Sequence, residues 1–335
     1  MTDIRKRKAD HIHLALQDQH QAANPAGFDH IRFEHNCLPE LDINDIDCSV
    51  QFLGRYCSAP LIIGAMTGGC EQGETINRHL AEAAEQAQIP LAVGSQRAAL
   101  EDGLTQEVRR WAPKATILGN LGGTQLQQYG VDMAQRAVDS IQANAMMIHL
   151  NPLQELVQPD GDRDWRGVLN VIEKCCHSLD VPVIVKEVGM GIGPGSAQRL
   201  LDAGVKWIDI AGRGGTSWAS IENARNHENR EQQIAAPFID WGMDTAKLIS
   251  MVRKQSDQLG LIASGGLRNG LDIARSLRLG ADMTAIAQPF LEPALKSSEA
   301  VIETIDILSE QLRRAMFLTG SRDLKQLQSA PLILA

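Results

Sequence analysis

Four groups of residues in this chain have the types and spacing for chemistry. Lys186 ends the apolar run Val183-Ile184-Val185. A cation there is costly without a partner. It reads as half of an ion pair with a carboxylate on a neighbouring strand, as a Schiff-base nucleophile, or as a fixed positive charge beside an electron-accepting ring. Sequence chemistry leaves all three open. The second group is His149-Leu150-Asn151-Pro152-Leu153-Gln154-Glu155. Glu155 suits Mg²⁺, which takes one or two carboxylates together with substrate phosphates, although a solvated loop carboxylate reads the same way. His149 is by default a hydrogen-bonded residue of the surrounding scaffold.

The third group, Ser264-Gly265-Gly266, separates the apolar run Leu261-Ile262-Ala263 from a helix-period segment. Glycines admit a ligand close to the main chain, and the bare N–H groups of a helix start favour an anion. A plain tight turn has the same signature. The fourth is Arg5-Arg7 with Lys6 and Lys8, a basic cluster that either is solvated or grips an anionic ligand.

These residues sit in a repeating frame. Residues 1–59 have mixed polarity and weak periodicity and read as an extension packed on a barrel. From residue 60 onward, short apolar runs alternate with amphipathic ones. The runs are Leu61 to Ala65, Leu91 to Gly94, Thr116 to Asn120, Ala145 to Leu150, Val183 to Lys186, Trp207 to Ala211, Leu261 to Ala263 and Met283 to Ala287. Uninterrupted apolar character suits strands buried on both faces. In the first intervening segment Ile76, Leu80, Ala83, Ala84 and Ala87 share a face, and Val301, Ile305, Leu308 and Leu312 do so in the last. Gly280 stands where a glycine ends a helix.

Eight such units predict an α/β fold, a (β/α)8 TIM barrel over residues 60–335. A doubly wound open sheet competes, but no G-x-G-x-x-G follows the first strand. Barrel enzymes place their chemistry at the C-terminal strand ends, and here every such end is small or hydrogen-bonding. Residues 213–242, after the sixth strand, form the longest interruption and should lie over that face.

Composition narrows the class. A formal charge of -9 argues against a general nucleic-acid binder. No apolar run is long enough to span a bilayer and no signal-peptide core is present, so no membrane association and a cytoplasmic location are expected. Six cysteines without C-x-x-C or zinc spacing read as reduced packing residues.

Taken together and in order, Arg7-Lys8-Ala9-Asp10-His11, Ala65-Met66-Thr67-Gly68-Gly69, Gly94-Ser95-Gln96-Arg97, His149 to Glu155, Lys186-Glu187-Val188-Gly189, Gly212-Arg213-Gly214-Gly215-Thr216-Ser217-Trp218 and Ser264-Gly265-Gly266 make the chain resemble the type 2, FMN-dependent isopentenyl-diphosphate isomerases. The likeness runs from about Arg7 to Ala330. It implies FMN across the barrel mouth, against Ala65, Met66, Thr67, Ser95, Asn120, Lys186 and either Ser217 or Thr216. Gly265-Gly266 and Ala287-Gln288 would hold the phosphate, and Lys186 would lie near the N1–C2=O edge of the ring.

For substrate, the resemblance assigns Arg7, Lys8, Ser95, Gln96 and Arg97 to a diphosphate. Gln154 would be near the reacting carbons and Glu155 on Mg²⁺, with His11, His149, Asn151 and Trp218 lining the pocket. The implied reaction interconverts isopentenyl and dimethylallyl diphosphate without net redox on a reduced flavin. Because the barrel mouth is poor in a dedicated pair of carboxylates, reduced FMN is the expected principal acid/base. NADPH or another reductant supplies electrons once. A homotetramer or homo-octamer is also implied. Residues 1–10 are expected to order only when a diphosphate arrives, because clustered positive charges repel. A 2-hydroxy-acid oxidoreductase on the same barrel would need a base histidine beside a substrate-binding arginine after a late strand, and Gly212 to Ser217 contains no histidine. A cofactor-free lyase using Lys186 as a Schiff base would show itself by borohydride trapping.

Overall fold

The computed structural model describes residues 10–23, 25–66, 71–104 and 106–333. Arg5, Lys6, Arg7, Lys8, Thr67, Gly68, Gly69 and Cys70 lie outside the described residues, and with them nearly all of the expectation about residues 1–10.

Eight parallel strands close on themselves. They are β1 (Leu61–Ile63), β2 (Leu91–Ala92), β3 (Ile117–Gly122), β4 (Ala145–His149), β5 (Val183–Lys186), β6 (Trp207–Asp209), β7 (Gly260–Ala263) and β8 (Met283–Ile286). Neighbours in sequence are neighbours in the sheet, and β8 pairs with β1, which rules out the open sheet. β1, β2 and β6 end two residues before their apolar runs do. The chain there leaves the ladder but stays buried while it turns over the mouth, as at Gly64, Val93 and Ala211.

Side chains alternate about each strand with period two. Ile62, Leu118, Met147, Ile184, Ile262 and Met283 point inward and fill the barrel together with Phe52 and Cys57. Leu61, Ile63, Ile117, Ile148, Val185 and Leu261 point outward beneath the helices. Each fully buried side chain of this size contributes roughly 1.5–3 kcal/mol. The inward alternation continues up each strand to Asn120, His149, Lys186, Asp209 and Ser264. One repeat therefore both packs the core and aims polar groups into the mouth.

The helices bury the faces that their spacing predicts. Ile76, Leu80, Ala83 and Ala84 are buried in helix Glu71–Ala87, and Val301, Ile305, Leu308 and Leu312 in helix Ser298–Thr319. Gly280 follows helix Gly270–Arg278 at φ +115°, a conformation that glycine tolerates best.

Residues 10–59 reach both ends of the barrel. The hairpin Val50–Phe52 and Arg55–Cys57 inserts Phe52 edge-on against Trp207, centroids 4.9 Å apart, and closes the bottom. Arg32–Phe33 pairs with Leu332–Ile333. At the mouth, Ala22 N–H donates to Gly215 O at 2.7 Å, and Ser217 N–H to His20 O at 2.8 Å. The long segment after β6 is itself folded, into helices Trp218–Arg225 and Asn229–Ala235.

Cys48, Cys57 and Cys175 are buried, Cys176 is half-buried, and all are free. Burial pushes the Cys57, Cys175 and Cys176 thiols up to about 11, which makes them poor nucleophiles. Cys37 departs from the expected packing role, because it lies exposed in the irregular segment before residue 43.

Candidate active site

The strand ends and the loops above them enclose one cavity. Ala65, Met66, Ser95, Asn120, Lys186, Thr216, Gly265, Gly266, Ala287 and Gln288 line it. His11, Arg97, His149, Asn151, Gln154, Glu155 and Trp218 also face it.

Lys186 is nearly buried, and its Nζ donates to the Glu187 carbonyl. Its register partner on β6 is Asp209, a buried carboxylate that accepts from Ser264 Oγ at 2.5 Å and from Ala211 N–H at 3.3 Å. Burial holds the Asp209 carboxyl above its usual range, while Lys186, Ser264 and Ala211 pull it the other way. Asp209 is thus a buried carboxylate on the neighbouring strand within electrostatic reach of Lys186, but the Lys186 ammonium bonds the Glu187 carbonyl and forms no close ion pair with that carboxylate.

Gly265 and Gly266 have φ of +95° and +80°. A Cβ on Gly265 would lie 1.9 Å from Gly212 O, and one on Gly266 would lie 2.4 Å from Gly214 C. The glycine turns after β6 and β7 thus pack backbone on backbone. No described acceptor meets the N–H groups of Gly265, Gly266 or Leu267. Beside them are Gln288, which starts helix Gln288–Lys296, and Arg268, whose Nη2 donates to Gln21 Oε1 at 2.7 Å. Burial lowers the Arg268 pKa against the pull of Asp272, so an anion at this turn would relieve it. Gly265→Ala is expected to destabilise the fold by more than about 3 kcal/mol, through left-handed strain and a backbone clash. A wild-type melting midpoint in that variant would refute the account of the turn.

Glu222 lies fully buried in helix Trp218–Arg225. It accepts from Gln154 Nε2 at 3.1 Å and Arg225 Nη1 at 2.7 Å, and its Oε1 bonds His11 Nε2 at 2.9 Å. Burial alone would raise its pKa, but His11, Gln154 and Arg225 together outweigh burial and hold it down at about 2. A depressed carboxyl stabilises the fold above its unfolded pKa of 4.5 and loses that contribution as pH falls toward about 2. The span corresponds to roughly 3 kcal/mol. Melting midpoints of wild type should therefore fall more steeply with acid than those of Glu222→Gln, and parallel curves would contradict this.

Asn151 Nδ2 donates to Gln154 Oε1 at 3.2 Å and to Glu155 Oε1 at 3.0 Å. Glu155 Oε2 accepts from Asp162 N–H at 2.9 Å, and Asp160 and Asp162 line the cavity nearby. Among the described residues no cluster of three or more His, Cys, Asp or Glu could hold a metal by itself. A cation on Glu155 would take most of its shell from water and phosphate oxygens, which is how Mg²⁺ is commonly held. Arg97 faces the cavity with Nε on Glu101 Oε1 at 2.8 Å. His149 Nδ1 bonds Asn120 Oδ1 at 2.9 Å, and His11 meets Trp218 edge-on at 5.2 Å.

Two expected site residues are elsewhere. Gln96 is fully buried behind β3, where its Nε2 donates to Ala137 O at 2.9 Å and its Oε1 accepts from Asn120 N–H at 2.9 Å. It cannot meet a diphosphate in the cavity. Ser217 caps helix Trp218–Arg225 and donates through Oγ to Ile239 O at 2.8 Å, so Thr216 is the cavity residue of that pair.

A family model for FMN-dependent dehydrogenases matches residues 3–150 and 136–334. Over 333 residues the chain is 50% identical to the isopentenyl-diphosphate delta-isomerase of Stutzerimonas stutzeri, covering 98% of this chain and 96% of the relative. The chain belongs to the isopentenyl-diphosphate delta-isomerase family. The enzyme of that name from Xanthobacter autotrophicus is 49% identical over 98% of this chain and 97% of its own. In fold, the chain is similar to a lactate oxidase of Pediococcus acidilactici, with TM-score 0.71 and 14% identity, covering 99% of this chain and 94% of that one.

For a member of the isopentenyl-diphosphate delta-isomerase family, the FMN-type groups are present. An anion turn with free N–H groups and Arg268 suits a phosphate, and a buried cation suits the polar edge of a ring. Arg213, in the segment after β6, is bonded to Asp244 at 2.5 Å and Asp240 at 2.8 Å. Asp209, Glu222 and Arg268 escaped sequence reading. Inward alternation from Trp207 would have found Asp209, and proximity to Gly266 would have found Arg268. Nothing local marks Glu222.

Proposed function

We propose that this protein interconverts isopentenyl and dimethylallyl diphosphate by a 1,3-allylic proton shift, with FMN in reduced form. Near full-length likeness to isopentenyl-diphosphate delta-isomerases carries the reading. The phosphate of FMN would be held by Gly265, Gly266, Arg268 and Gln288, and its ring by Ala65, Met66, Asn120, Lys186 and Thr216, with Thr67 from the undescribed segment.

When bound, reduced FMN supplies an electron-rich face and a nitrogen able to carry a proton, beside an alkene on which positive charge develops. The chain's own residues do the positioning. Lys186 provides the fixed positive charge at the ring edge. Gln154, its amide pinned by Glu222 and Asn151, orients the alkene end. Arg97 and Ser95, with Arg7 and Lys8, bind the diphosphate through charge-assisted bonds. Glu155 holds Mg²⁺ against it, while His149 fixes Asn120 and His11 and Trp218 close the wall.

NADPH as the reductant, a cytoplasmic location and a homo-oligomer of four or eight belong to the same reading. Among the described residues no helix is long and apolar enough to cross a membrane. The test is an anaerobic assay of isopentenyl diphosphate with protein, FMN, Mg²⁺ and a reductant. Dimethylallyl diphosphate in large excess over reductant oxidised is the expected result. Product in step with reductant, or none from protein that binds FMN, would overturn it.

A further inference from the structure

Three adjacent strands end in a polar group of which only Lys186 has so far been given a role. Lys186 on β5 is in register with Asp209 on β6, and both alternate inward, so their side chains stand side by side below the mouth. Ser264, just beyond the end of β7, donates to Asp209 Oδ1 at 2.5 Å. On the other flank, the Glu187 carboxylate accepts four main-chain N–H groups, from Val188, Gly189, Met190 and Gly191, at 2.6 to 3.1 Å. That nest fixes the peptide whose carbonyl receives Lys186 Nζ.

A buried carboxylate beside a buried cation is an expensive way to fill a barrel, and apolar residues of the same volume commonly stabilise as well or better. The fold does not demand it, since the equivalent inward positions on β3 and β4 carry the neutral Asn120 and the histidine His149. The ammonium is instead held in one place by an immobilised carbonyl, while its charge is balanced by a carboxylate that is itself anchored from the next strand.

We propose that Asp209, anchored by Ser264, is a positioning residue that acts through the charge of Lys186 and sets the net charge presented to FMN, and thereby how readily the bound flavin takes up electrons. This rests on the reading that the cavity holds FMN. Without the carboxylate, the uncompensated Lys186 stabilises negative charge on the reduced ring. Bound FMN then becomes easier to reduce, and its reduced form becomes a weaker base.

The test uses full-length Asp209→Asn and Ser264→Ala with wild type, each stripped of flavin and reloaded with FMN. Dissociation constants, anaerobic dye-coupled reduction potentials and the pH dependence of the reduced-flavin spectrum are measured. The expected result is a more positive potential in Asp209→Asn, with the anionic reduced flavin persisting to lower pH and isomerisation slowed roughly tenfold, the scale on which outer partners of a site act. Ser264→Ala should shift the potential in the same direction by less. Weaker FMN binding with wild-type potential and spectrum would make Asp209 merely structural and overturn the proposal. Should Asp209→Asn fail to fold, Ser264→Ala decides, and an unchanged potential there overturns it. Wild-type protein that binds no FMN would instead bring down the cofactor reading itself.

Discussion

Lys186→Met is expected to slow single-turnover isomerisation about 10³-fold, the scale lost when a preorganised charge is removed from a dry site. The side chain is nearly buried at the end of β5, so its charge acts with little screening by water. Methionine keeps the length and the apolar contacts while discarding the ammonium. Asp209 is then left buried without the neighbouring positive charge, which should lower stability. Adding Asp209→Asn to Lys186→Met should recover most of that stability and none of the rate. Anaerobic quench measurements on FMN-loaded protein, with melting curves alongside, check both halves. A fast Lys186→Met enzyme would remove the cation from the mechanism.

Gln154→Ala should slow the same single-turnover rate about 10²-fold with little change in FMN affinity, within the range of positioned proton-transfer groups. Glu222 is held ionised and therefore only accepts hydrogen bonds, so the Gln154 amide must turn its nitrogen toward Glu222 and its oxygen toward Asn151. The orientation of the amide is thus imposed from the helix above the mouth and leaves one N–H for the cavity. Alanine removes the group but leaves His11 and Arg225 on Glu222, so the wall should survive. An unchanged rate at saturating substrate would assign Gln154 to structure alone, and a change confined to KM would assign it to binding.

Much of this was legible in the sequence because the underlying physics is local. A strand buried on both faces must be apolar throughout, so all eight strands announced themselves, and their order followed from the alternation with helices. The polar residues at the strand ends were equally visible. Gln96 and Ser217 show the limit of that reading. Each sits next to a true cavity residue, Arg97 and Thr216, and one step along the backbone turns a side chain from the mouth to the helices. A motif marks the neighbourhood without fixing the direction. That Asp209 stands in register with Lys186 depended on the alignment of β5 with β6.

The sequence by itself determined the barrel, through the periodicity of its strands and helices, and marked a glycine turn and a buried lysine at the ends of strands, while its ordered motifs carried the resemblance to the family. Only the tertiary structure decided that Asp209, bonded by Ser264, stands in register with Lys186, and that Glu222 joins His11 to Gln154 across separations of 211 and 68 residues. Those pairings are made by barrel closure and by the extension crossing the mouth. No local preference encodes which distant groups closure will bring within hydrogen-bond reach.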